Sequence, residues 1–439
     1  MDRLTKFLIT KTRKNFSSSS LTLLVAIFLL IGIYGCSTKY SKLEINELTI
    51  LDLAVNDISY LWPVPSTQEE VDQLIDGESV WLDASFKAAL EVILKAKVKN
   101  AFGDSKQIIF PPSADFHNRV TWKLVGFRVD PSAPSTDISV IKQFGSIPQI
   151  RLIMQPVTFK ANTVTVHDYT AHLAFNFTLN NSPPFLPDHQ KFAAILGDLL
   201  ELKEFLLAES PSISTNGQLR INPGLEQYVP DFSKKVESFL LKYISGKSPD
   251  IIAFMGIPDP QPEPWIFLEF NSASEILISE QSLHGQMFSP LINVLDGPVT
   301  PVPNNSNLET KPPVGVSTAV LFKPNIDLND PAVKGRSVPL IKDIPDIIAN
   351  PINSNVLNTD CFSCHSETTR RTLLKIAPTP YQFDLDGTPG VEPSMLPDTN
   401  YNVRNFGWYQ LGVDKPKPAI SMRAGNETAN ALMFIHKEY

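Results

Sequence analysis

The 439-residue chain predicts an α+β fold, and three features of its sequence carry that prediction. Short runs alternate apolar and polar residues with the two-residue period of a half-buried strand. Longer runs between them repeat their apolar residues at helical spacing. The two kinds are intermixed without regular βα alternation and without an internal repeat, which separates this pattern from a doubly wound parallel sheet. Composition divides the chain into four segments. Residues 1–35 read as an export segment and 36–290 as a large mixed strand and helix region. A connector rich in Pro and Asn spans 291–339, and 340–439 is a small, mostly helical region.

Taken in order, Asn56-Asp57-Ile58-Ser59-Tyr60-Leu61-Trp62-Pro63 sets aromatic residues beside polar ones, a composition suited to core packing or to a contact surface. A helix is expected from about Asp83 to Phe102, with Phe86, Ala89, Leu90, Ile93 and Leu94 on one face. Val120-Trp122-Leu124 and Ile150-Leu152-Met154 read as strands. Ala171, Leu173, Phe175, Phe177 and Leu179 alternate with polar residues and read as a third. A second helix is opened by Pro187-Asp188, carries Phe192, Ile195, Leu196, Leu199 and Leu200, and ends before Ser210-Pro211. A third follows Pro230-Asp231, buries Val236, Phe239, Leu240 and Tyr243, and is capped by Gly246. Trp265-Phe267 is a further short strand. The connector contains Pro303-Asn304-Asn305-Ser306-Asn307 and Lys311-Pro312-Pro313, extended sequence in which only Val314 to Phe322 suits a strand.

The amino-terminal segment carries the marks of export. Arg3, Lys6, Lys11, Arg13 and Lys14 form a basic start, and Leu21 to Tyr34 form an apolar run of fourteen residues, the length of a signal core and short for a membrane-spanning helix. The run leads into Tyr34-Gly35-Cys36-Ser37, which resembles a bacterial lipobox. That resemblance implies an acylated Cys36 as first mature residue, and Ser37 resembles the pattern directed to the outer membrane, facing periplasm or surface. Each buried CH₂ adds about 0.8 kcal/mol of membrane affinity, so such an anchor holds without a basic patch. An uncleaved anchor is the other reading, and both leave the remaining chain outside the inner membrane. Removing residues 1–35 takes away five basic side chains and Asp2, moving the formal charge from −8 to −12. An acidic mature chain argues against nucleic acid and against anionic lipid head groups as partners.

The residues with the most chemical content are Cys361-Phe362-Ser363-Cys364-His365, a Cys-x-x-Cys-His attachment signature for c-type haem. Two thiols at this spacing add to the two vinyl groups, and the adjacent imidazole lies under the iron. With three Cys and seven His in the chain, chance supplies such a match at a rate on the order of a few in ten thousand. Zinc would want a second Cys pair, which the chain lacks. A thioredoxin-type pair would follow a strand, whereas this one follows a broken, polar approach through Pro351 and Asn353-Ser354-Asn355. A disulfide closing so small a ring adds little loop entropy. One cysteine for lipid and two for haem account for all three.

After His365, Ser366 to Ile376 can form a helix ended by Ala377-Pro378, a long loop follows, and Asn426 to Ile435 form a terminal helix with Asn426 as N-cap. Over about residues 340–439 this order resembles the single-haem class I cytochrome c fold. The resemblance implies one covalent haem on Cys361 and Cys364, His365 as proximal ligand, and a methionine from the loop before the last helix as sixth ligand. Met422, just before that helix, and Met395, between Pro393 and Pro397, both qualify, and an open or differently liganded iron is the third case. Either Met can instead fill gaps around the porphyrin. Arg404 stands among aromatics in Tyr401 to Tyr409, where it pairs a haem propionate or is the exposed residue of a core strand. Arg370, Arg371 and Lys375 either steer an acidic redox partner or form a solvated helix face.

Elsewhere the chain has no Gly-rich phosphate loop, no Gly-x-Ser-x-Gly and no His-Glu-x-x-His. His167 and His172 fall on opposite faces of alternating sequence, with His172 on the polar side and expected in solvent. His117, His189 and His284 read as surface or capping residues. The expected function is a membrane-anchored, exported c-type cytochrome passing single electrons to or from a redox protein, an electron carrier more than a catalyst. Two competitors stand beside it. One is a haem peroxidase-like enzyme, although di-haem peroxidases show two attachment motifs and this chain has one. The other is a non-redox binding or structural lipoprotein of the cell envelope. The whole chain resembles lipoproteins of unknown role with a late Cys-x-x-Cys-His, which implies no activity.

Overall fold

The alternating runs become one antiparallel sheet. A computed structural model describes residues 48–87, 91, 97–99, 105–107, 118–133, 135–136, 141–142, 145–167, 169–180, 185–229, 231–256, 266–271, 276–277, 346, 348–352, 364–365, 367–368, 371, 390–398, 404–410 and 414–439. The strands are β1 (Ser59–Leu61), β2 (Lys97–Lys99), β3 (Ser105–Gln107), β4 (Trp122–Ala133), β5 (Ile147–Lys160), β6 (Thr163–Val166), β7 (Thr170–Asn176), β8 (Ile251–Gly256), β9 (Ile266–Asn271), β10 (Ile276–Leu277), β11 (Phe406–Tyr409) and β12 (Lys417–Ile420). Eight of them form one sheet in the order β1-β4-β5-β7-β8-β9-β10, with β6 folded back on β5. β2 pairs with β3 and β11 with β12 as separate antiparallel hairpins. The α+β class is therefore the observed one.

The helices are α1 (Val55–Ile58), α2 (Gln68–Asp72), α3 (Gly77–Val80), α4 (His189–Glu209), α5 (Pro223–Glu226), α6 (Phe232–Ile244) and α7 (Met422–Glu438). The two long internal helices match their periodicity. Asp188 caps α4 by accepting from the Lys191 amide, and α6 ends before Gly246 at φ 71°, a left-handed position that suits glycine. The helix expected from Asp83 to Phe102 does not run its length, because Lys97–Lys99 is β2, paired with Ser105–Gln107. In the sequence, Gly103-Asp104 is a turn signal that the helical periodicity masked.

Pairing sorts the sheet into two unlike faces. Phe127 and Val129, Ile150 and Leu152, Leu173 and Phe175, and Ile252 and Phe254 share one face and are buried. Aromatic rings join this face to β1 and α6: Tyr60 stacks on Phe127 at 4.5 Å, and Phe239 approaches Phe127 at 6.1 Å. Trp81, Trp122 and Phe254 form a cluster beside them. The segment Asn56 to Trp62 is core: Asp57 pairs with Lys203 of α4, and the Asn56 side-chain amide donates to the carbonyls of Thr215 and Gln218.

The opposite face carries Gly126, Arg128 and Asp130 on β4, Gln149, Arg151, Ile153 and Gln155 on β5, and Thr170, His172 and Ala174 on β7. The carboxy-terminal residues cover it. The buried Gln155 side chain behaves as a strand partner, donating to the Trp408 carbonyl at 2.9 Å and accepting from the Trp408 amide at 2.7 Å. Gln410 reciprocates by accepting from the Val166 amide. The described residues of 340–439 and those of 36–290 thus belong to one compact unit, Leu48–Tyr439.

Phe406 seats directly over Gly126, where a Cβ would lie 2.7 Å from its ring and 2.8 Å from the Tyr60 carbonyl oxygen. Gly126→Ala is therefore expected to cost about 1–3 kcal/mol, read as a lowered midpoint in thermal unfolding.

Candidate functional site

His365 comes close enough to this covered face to act electrostatically on His172. Cys364 and His365 are helical and half-buried, and Glu367, Thr368 and Arg371, also helical, are buried. The next turn is stitched to the start of α7: the Met422 amide donates to Thr368 Oγ1 at 2.8 Å and the Arg423 amide to Glu367 Oε1 at 3.2 Å. Ser421 caps α7 by accepting from the Ala424 amide, so the helix begins four residues before its expected N-cap. Asn426 lies inside the helix and donates to the Ala349 carbonyl, and Met422 is its first residue rather than the loop residue before it.

From α7 a relay of charges reaches the sheet. Arg423 pairs with Glu427 at 2.8 Å, Glu427 with Arg128 of β4 at 2.8 Å, and Arg128 with Asp130 at 2.7 Å. Burial works against the Glu427 charge, yet Arg423 and Arg128 outweigh it and hold the carboxyl far below its ordinary value. Glu367 behaves oppositely. Burial pushes its carboxyl up to about 7, against the pull of Arg371 and Arg423. Arg371 is buried and pairs with Asp346 at 2.5 Å, which corrects both expectations for it, solvated face and partner-steering charge alike.

Beside this relay, Arg151 stands directly opposite Arg128, with its guanidinium bonded to Gln149 Oε1 at 2.9 and 3.2 Å. His172 lies one strand over, opposite Ile153 on one side and Ala253 on the other. It is half-buried rather than solvated, with His365 and Arg404 near it. Burial first, then the neighbouring His365 imidazole and Arg151, Arg404 and Arg128, hold His172 well below its ordinary pKa and so neutral. Arg404 is 1% exposed, so the exposed-strand alternative for it does not hold. Thr170 Oγ1 and Asn405 Oδ1 are buried polar atoms without hydrogen-bond partners among the described residues.

Both candidate methionines are buried. Met395 ends the short turn Pro393–Met395, whose strand-like approach at Val391 bridges to Leu219. Met422 sits against the motif's own helix. Cys36, Cys361, Arg370, Lys375, His117, His284, the 291–339 connector and the export segment lie outside the described residues. His189 is an α4 residue 2.7 Å from the Tyr439 hydroxyl. Sequence reasoning missed Arg128, Arg151, Glu367 and Glu427. The signal for the first two was the identity of the polar members of the alternation in 122–176, since arginine is a costly way to decorate a merely solvated strand face.

Among the described residues, no group of three or more His, Cys, Asp or Glu side chains is arranged to hold a metal ion. No helix among them is long and apolar enough to cross a membrane. No family model, curated protein or solved structure matches this chain.

Proposed function

We propose that the chain is an exported, lipid-anchored c-type haem protein of the cell envelope that transfers single electrons to or from a partner protein. One observation carries the reading: Cys364 and His365 are half-buried in a helical turn beside a covered sheet face lined by arginines.

The residues fit the group. A thiol and an imidazole from adjacent positions are the donor chemistry that haem c requires, with Cys361 as the second thioether site. Arg404 and Arg151 bring positive charge to a low-dielectric region, where guanidinium groups suit the two propionates. The buried polar atoms of Thr170 and Asn405 offer further hydrogen-bonding capacity there. When bound, haem supplies a reversible one-electron centre. The chain's own share is to fix the imidazole through the Thr368 and Glu367 contacts, neutralise the propionates and exclude water. Cys36 would hold the assembly at the membrane surface.

The test is mass spectrometry and visible spectroscopy on protein made in a host that assembles haem c. The expected mature mass carries one haem and acyl groups on Cys36, with reversible reduction, and the Cys361→Ala, Cys364→Ala double variant carries no covalent haem. A mature chain without haem from a competent host would overturn the reading and leave a binding or structural lipoprotein.

A further inference from the structure

We propose that His172 of β7, rather than Met422 or Met395, is the second axial ligand of that haem; the inference rests on the haem reading above. A macrocycle has two faces, and its sixth ligand must come from the wall opposite the proximal imidazole. Met422 belongs to the proximal wall, because its backbone amide is bonded to Thr368, three residues along the helix from His365. Met395 belongs to a segment tied by backbone hydrogen bonds to the loop around Leu219, and the same segment packs on β12 and, at Val391, on Gly425 of α7, the side that Met422 occupies. Neither tie brings a methionine to the middle of the sheet.

His172 is in the middle of the sheet, on the covered polar face, with β5 on one side and β8 on the other. The same face carries Arg128, which the Glu427 and Arg423 contacts link to the motif's helix. The His365 imidazole is near enough to act electrostatically on the His172 ring. The cross-strand neighbours of His172 are Ile153 and Ala253, the same-face residues on its own strand are Thr170 and Ala174, and Arg151 lies diagonally across. An imidazole amid small or apolar neighbours, with an arginine alongside for a propionate, is a suitable axial donor and its setting. Imidazole on both sides of the iron also predicts a lower reduction potential than imidazole with thioether, since thioether ligation raises it.

The experiment uses the full-length haem-loaded protein and reads electron paramagnetic resonance and the far-red absorbance of the ferric state. The expected wild type is low-spin and lacks the Met-to-iron charge-transfer band. His172→Ala is expected to become high-spin and to regain a low-spin spectrum with added imidazole, and His172→Met to gain the charge-transfer band. Met422→Ala and Met395→Ala are expected to leave the spectrum unchanged. A charge-transfer band in the wild type that Met422→Ala or Met395→Ala removes would overturn the assignment, as would an unchanged spectrum in His172→Ala. Should His172→Ala not fold, the gain of the band in folded His172→Met supports the assignment, and its absence overturns it. Protein that takes up no covalent haem overturns the haem reading itself.

Discussion

Asp57→Ala is expected to lower the free energy of unfolding by about 3–5 kcal/mol, measured from the denaturation midpoint in urea at neutral pH. Asp57 is 2% exposed and its partner Lys203 is 7% exposed, so removing the carboxylate leaves an ammonium stranded in the core. The same oxygen also accepts from the Ala54 amide at 2.7 Å and the Thr215 hydroxyl at 3.0 Å. Burial raises the Asp57 carboxyl above its ordinary pKa while Lys203 and these donors pull it down, the balance expected of a desolvated pair. The double change Asp57→Leu, Lys203→Met should therefore cost less than either single change. Additive losses in that cycle would show that the two groups do not act as a pair.

The second large effect falls on Glu427, which bridges Arg423 and Arg128 and fastens α7 to the sheet. Glu427→Gln is expected to cost about 2–3 kcal/mol at neutral pH, below the full buried-pair value because the side chain is 29% exposed. The sign of its pH dependence follows from a folded-state pKa held below the ordinary 4.5. The stabilising contribution is complete above the unfolded carboxyl range and disappears as pH falls through the depressed folded value. The stability gap between wild type and Glu427→Gln should therefore be constant near pH 7 and shrink as the pH drops below about 4.5. A gap that widens with acid would place the stabilisation elsewhere.

What the sequence made legible was local. Asp188 and Gly246 marked helix ends because capping chemistry acts within a few residues, and the strand periods held between Trp122 and Asn176 but not at Val120 or Leu179, which lie outside the strands and are exposed. The run 83–102 failed because an apolar stripe is common to a helix and to a short helix followed by a hairpin. The spacing at 361–365 was legible in the sequence as the ground for a haem proposal. Its surroundings were not, because Arg128, Arg151 and His172 reach it only through sheet register and a covering layer from the far end of the chain. A polar residue on an alternating strand looks solvated until something is known to lie over it.

The Arg128–Glu427 bridge joins positions 299 apart, and that separation has a consequence for timing. Contacts of such range form late, because the loop between them must first be closed at an entropic cost. A chain made from its amino end delivers β4, β5 and β7 well before α7 exists to roof them. In that interval the face carrying Arg128 and Arg151 stays open to water. Closure of the sheet by the last helix is therefore a late event in folding.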